Sequence, residues 1–170
     1  MKKLRLLLGL FILLVSMVSA KPVLYLQDSI AEKNNETVRL LGGSVWKLVS
    51  PSLMLVADDV LVVFHPITDK QGKKDVIPVF YVSGEEVPAL YIRGNIKPFL
   101  QSGYLTTIMA KNSSGSRLQT AEGYILHISS YDQYDTGWWL PPYQVLITND
   151  QMYMWNLREG KRVWINGIYR

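Results

Sequence analysis

The chain has 170 residues, 48% of them hydrophobic and 19% charged, and contains no Cys. That apolar share excludes a disordered protein, and the missing Cys excludes a disulfide scaffold or a thiolate metal site. The formal net charge of +4 falls to +1 once Lys2, Lys3 and Arg5 are set aside with the leader they belong to, leaving 15 basic against 14 acidic side chains. A balance that close offers no electrostatic footprint for nucleic acid.

The N-terminus reads as an export signal. Lys2, Lys3 and Arg5 form a positive start, Leu6 through Val15 an apolar run, and Val18 and Ala20 supply the small residues that precede a cleavage site. The run is about ten residues, half of the ~20 that a membrane-spanning helix needs. Cleavage after Ala20 is therefore expected, with a mature chain from Lys21 and no transmembrane anchor. Without Cys there is no lipoprotein anchor, and an exported chain lacking disulfides suits a bacterial periplasm or the extracellular medium.

Beyond the leader, short runs rich in Val, Ile, Tyr and Trp alternate with clusters of Gly, Pro, Asn, Asp and Ser, which is the pattern of β-strands. In chain order the expected strands are Val23–Leu26, Val38–Leu41, Ser44–Val49, Val60–Phe64, Val76–Val82, Pro88–Ile92, Tyr104–Ala110, Arg117–Ala121, Tyr124–Ser129, Gln144–Thr148, Met152–Leu157 and Arg162–Ile165. Asn34-Asn35, Gly42-Gly43, Ser114-Gly115, Asn149-Asp150 and Glu159-Gly160 are turn pairs that tolerate positive φ. The best helical candidate is a single turn at Ser29–Lys33.

A weak internal repeat organises the strands. At an offset of 80, Gly43-Ser44-Val45-Trp46-Lys47-Leu48 overlies Gly123-Tyr124-Ile125-Leu126-His127-Ile128. Further on, Val60-Leu61-Val62 meets Val145-Leu146-Ile147, and Gly84 and Val87 meet Gly160 and Val163. The expected fold is all-β. Two similar five-to-six-stranded halves, 21–97 and 98–170, form tandem small barrels (SH3-like or OB-like) or one packed sandwich. About 75 residues without disulfides is marginal for a lone barrel, so the halves are expected to pack on each other.

The repeat also sorts the chemistry. His127 aligns with Lys47, so both are expected to face water, opposite Trp46, Leu48, Leu126 and Ile128. His65 sits at a strand end beside a charged hairpin, Asp69–Asp75. Asp58-Asp59 and Glu85-Glu86 are neighbours in sequence and point apart in extended chain. No nucleophile elbow, phosphate loop, zinc motif or calcium loop occurs, so no catalytic residue, metal or cofactor is assigned.

One stretch stands out. The second half carries five extra residues between matching strands, and that loop gathers Tyr131, Tyr134, Trp138, Trp139 and Tyr143, with Asp132 and Asp135 between them and Pro141-Pro142 at the exit. The matching stretch, Pro51–Asp59, has no aromatic residue. Aromatic side chains in a loop give rigid contact area at low entropic cost. These five are the candidate binding residues, with one Trp of the pair expected inside and the other partly exposed. The leading expectation is an exported, non-enzymatic module that binds a protein or envelope component. A glycan- or peptidoglycan-binding module is the alternative, and a small hydrolase with unidentified carboxylates the third.

Overall fold

The computed structural model describes residues 20–170, so the export signal lies outside the described residues except for Ala20. Twelve strands follow: β1 (Lys21–Asn34), β2 (Thr37–Leu40), β3 (Val45–Leu48), β4 (Asp59–Thr68), β5 (Lys74–Val82), β6 (Glu85–Arg93), β7 (Gln101–Lys111), β8 (Arg117–Thr120), β9 (Ile125–Ile128), β10 (Tyr143–Thr148), β11 (Tyr153–Asn156) and β12 (Lys161–Tyr169). A 3₁₀ turn at Lys97–Phe99 joins the halves, and a short helix α1 (Gln133–Trp138) lies between β9 and β10.

Every expected run is a strand. Ser29–Lys33 is not helical but lies inside β1, where a bulge between Ile30 and Glu32 shifts the register against β2. Leu26 and Ile30, both buried, stand four positions apart. That spacing suits a helical face and an alternating strand equally well.

Hydrogen-bonded neighbours run β1-β2-β3-β6-β5-β4 with β4 returning to β1, and β7-β8-β9-β12-β11-β10 with β10 returning to β7. Each half is thus a closed ring of six antiparallel strands, one more than an OB-like barrel has, and the sandwich alternative is set aside. Closure leaves neither half with an open sheet edge.

The repeat holds in register. Val38 pairs with Trp46 as Leu118 pairs with Leu126, and Leu61 pairs with Tyr81 as Leu146 pairs with Trp155. The bulge at Ile30/Glu32 recurs 78 positions on at Ile108/Ala110. The rings join where β1 pairs antiparallel with β7, Leu24 opposite Ser102 and flanked by Val23–Gly103 and Tyr25–Gln101. A shift of 78 carries one flanking pair into the other, so a pseudo-twofold axis passes through Leu24–Ser102. Gly103 is fixed by this junction: a Cβ there would stand 2.7 Å from the Ile147 carbonyl and 3.2 Å from the Tyr25 ring.

Three apolar clusters follow from this arrangement. Trp46, Leu48, Phe80 and their neighbours fill the first barrel, and Leu118, Leu126, Ile128 and Met154 the second. Val23, Tyr25, Leu61, Val63, Tyr81, Leu146 and Trp155 form a third between the barrels. Leu61 and Tyr81 face this third cluster, while Val62 and Phe80 beside them face the first barrel's interior. That alternation lets one strand pair serve two cores. The halves pack on each other, as small barrels without disulfides require.

Candidate functional site

The loop between β9 and β10 is built as a rigid platform. Thr136, fully buried, donates from Oγ1 to the Gly115 carbonyl at 2.9 Å. Lys111 Nζ donates to the Gly137 carbonyl at 2.6 Å, and Gln133 Nε2 to the Ile128 carbonyl at 3.1 Å. Asp132 Oδ2 accepts the Trp164 backbone N–H at 2.7 Å, and Asp135 pairs with Lys161 at 2.9 Å. Gly115, at φ +73°, abuts the helix so closely that a Cβ would lie 2.3 Å from the Gly137 nitrogen. A six-residue helix has little stability of its own, so these contacts are what hold it.

The structure divides the five aromatic candidates. Trp139 and Tyr143 are each 5% exposed and belong to the second barrel's core, their rings 5.6 Å apart and nearly perpendicular. They close the barrel rather than face a partner, because the chain turns inward at Trp139 and enters β10 at Tyr143. Tyr131, Tyr134 and Trp138 are 94%, 78% and 74% exposed, and Leu140 beside them is 76% exposed. The adjacent Trp pair is therefore split, one ring inside and one outside. A small cleft of about 90 Å³ lies at Trp138, Leu140 and Arg158.

The sibling loop between β3 and β4 repeats the construction without aromatic residues. Lys33, 78 positions before Lys111, donates to the carbonyls of Ser52 and Met54, the latter at 3.1 Å. Glu85, 76 positions before Lys161, accepts from the Ser52 hydroxyl and from the Leu53 N–H at 2.9 Å. This loop holds out Leu53, Leu55 and Val56, all exposed. None of the three carries a ring, so the aromatic pattern that marks the β9–β10 loop does not single them out. The signal available was an apolar run, Leu53–Val56, in a segment that breaks strand alternation.

The remaining candidates form no catalytic group. Asp58 accepts the Leu55 N–H at 2.8 Å, and Asp59 accepts the Ser29 hydroxyl at 2.7 Å. Glu85 is held by its loop, and Glu86 pairs across the sheet with Tyr81. His65 Nε2 lies 2.9 Å from the Tyr81 hydroxyl. Burial holds the His65 imidazole below its ordinary range, though the Glu86 charge opposes this. Burial first, and then Glu86, pushes the Tyr81 phenol well up. A neutral imidazole thus shares a hydrogen bond with a protonated phenol, and neither group is an activated nucleophile.

His127 is half-buried rather than open to water. β12 runs on past the expected end at Ile165 and brings Tyr169 to within 4.8 Å of the imidazole, centroid to centroid. Lys47 is exposed, 3.8 Å from Glu36. Among the described residues no group of three or more His, Asp or Glu is placed to hold a metal, and no helix is long and apolar enough to cross a membrane. Compared with known protein families, with curated proteins and with solved structures, the chain has no match.

Proposed function

We propose that the protein is an exported, non-enzymatic binding module that grips a protein partner of the cell envelope through the β9–β10 loop. The observation that carries this reading is the exposure of Tyr131, Tyr134, Trp138 and Leu140 on a loop whose backbone is tied down by Lys111, Thr136, Asp132 and Asp135. Exposed apolar side chains cost free energy in water, and a rigid cluster of them marks a contact surface. Preorganisation removes the ordering cost that a mobile loop would incur on binding.

A protein partner is favoured over a glycan by what the carboxylates do. Asp132 and Asp135, carboxylates able to accept from sugar hydroxyls or basic side chains, are engaged by the Trp164 N–H and by Lys161. What remains outward is the rings of Tyr131, Tyr134 and Trp138, with an aliphatic side chain, Leu140, beside them. The test is capture from bacterial envelope extract on the immobilised chain from Lys21, with purified cell wall as a parallel arm. Retention of a protein by the native chain and its loss with Trp138→Ala supports the reading. Retention of cell wall instead, lost with the same variant, would make the module a glycan binder.

A further inference from the structure

Arg158 stands at the corner where the aromatic loop meets the seam between the barrels. The cleft of about 90 Å³ beside Trp138 and Leu140 shares two of its walls, Tyr143 and Arg158, with a second cleft of about 250 Å³. This second cleft opens between the barrels: Tyr81, Gly84 and Glu86 come from the first, Gln144 and Leu157 from the second. Together the two make one groove. Its apolar end is at Trp138, a guanidinium stands midway, and Glu86 and Gln144, both exposed, mark the polar end.

The backbone that presents Arg158 is fixed. Asn156, buried, accepts through Oδ1 from the Arg158 N–H at 3.0 Å and the Glu159 N–H at 3.2 Å, and through its carbonyl from the Gly160 N–H at 2.9 Å. Gly160, at φ +65°, lies so close to the β5–β6 turn that a Cβ would stand 3.0 Å from the Ser83 nitrogen. A turn of the second barrel is thus pressed on a turn of the first. The cations next along the chain are committed: Lys161 to Asp135, and Arg162 to the Tyr153 ring, whose centre is 4.7 Å from its guanidinium. Arg158 is exposed and, among the described residues, pairs with no carboxylate. With Trp and Tyr, Arg is the side chain that interface hot spots favour.

We propose that the groove takes a segment of the partner protein in which a carboxylate adjoins a large apolar side chain, the carboxylate on Arg158 and the apolar side chain against Trp138 and Leu140. The assignment rests on the β9–β10 loop being a protein contact surface and gives the chemistry that this surface recognises. A guanidinium holds a carboxylate through two parallel hydrogen bonds, which an ammonium does not. Glu159 lines the cleft beside Trp138, and Glu86 the seam cleft. Their charges oppose a doubly charged phosphate more than a singly charged carboxylate. Beyond Arg158, Glu86 and Gln144 offer an acceptor and an amide to the main chain of the segment. Neither cleft alone reaches the ~300 Å³ at which ligand sites begin, and joined they do.

The test is a magnetic-resonance titration of the chain from Lys21 with Nα-acetyl-leucyl-aspartate amide and with its asparagine counterpart. The aspartate probe is expected to bind about threefold more tightly or better, as an exposed charged contact allows, and to lose that advantage at about 1 M salt. Arg158→Gln should erase the difference while leaving the asparagine probe and the melting temperature unaffected. Trp138→Ala should weaken both probes. Phenyl β-glucuronide, which carries the same charge on a sugar, is expected to bind more weakly than the aspartate probe. Equal affinity for the two peptides, no effect of Arg158→Gln, no binding at millimolar concentration, or a preference for the glucuronide would overturn the proposal. Weakening by Trp138→Ala without any effect of Arg158→Gln overturns it and leaves the loop as the contact surface. An Arg158→Gln effect without a Trp138→Ala effect counts instead against the loop.

Discussion

Trp46→Ala tests the packing of the first barrel's core. The indole is fully buried, with Tyr91 at 5.1 Å, Phe80 at 5.5 Å and Phe64 at 6.2 Å between ring centroids. Its Nε1–H donates to Ser44 Oγ at 2.9 Å, and Ser44 is itself buried. Truncating a core Trp costs about 3–5 kcal/mol, and leaving the buried hydroxyl without its donor adds about 1 kcal/mol. At roughly 2–4 °C per kcal/mol for a chain of this length, the melting temperature should fall by roughly 10–20 °C. The third cluster couples the barrels, so scanning calorimetry should show one transition moving as a whole. His127→Ala, which loses a half-buried imidazole packed at a tilt against Tyr169, should cost about 1 kcal/mol. Equal shifts for the two variants would refute the face assignment, and a second, unshifted transition would refute the coupling.

Three further outcomes follow from named contacts. Gly115→Ala, which forces a Cβ against Gly137 at positive φ, should speed hydrogen exchange of the Gln133–Trp138 amides, while those of β4 and β5 stay protected. Lys111→Met should loosen the same loop at a cost of about 1–3 kcal/mol, and Lys33→Met should do so at the sibling loop, read by the same exchange experiment. His65 has a folded pKa below its ordinary 6.5, so the unfolded state takes up the proton first. Stability from this group is therefore complete above about pH 6.5 and declines as the pH falls below it. The difference in melting temperature between the native chain and His65→Gln should shrink from pH 7.5 to pH 5.5, and a constant difference would contradict this sign.

The strands were legible because turn residues bound each β-branched run and both faces of many strands are used. Val60–Val63, buried at four successive positions, reads as a continuous apolar run because its two faces serve two cores. The length of β1 was hidden by polar residues from Gln27 to Asn34 and by the bulge at Ala31. Ring closure was illegible for another reason: the β1–β4 and β7–β10 pairings depend on strand order, which no local pattern encodes. Helix α1 left no apolar period, since Thr136 is its one buried residue and tertiary hydrogen bonds supply the rest. Which Trp of the pair faces out depends on the turn that follows α1, not on the dipeptide.

The most direct measurement sets Trp138→Ala against Trp139→Ala, reading affinity for the protein captured from envelope extract together with melting temperature. The exposed ring should carry binding and the buried ring stability. Trp138→Ala should weaken capture by about 2 kcal/mol or more, near thirtyfold, and leave the melting temperature nearly unchanged. Trp139→Ala should cost about 3–5 kcal/mol of stability. Unaltered capture with Trp138→Ala, at full expression and folding, would contradict the assignment of this loop as the contact surface.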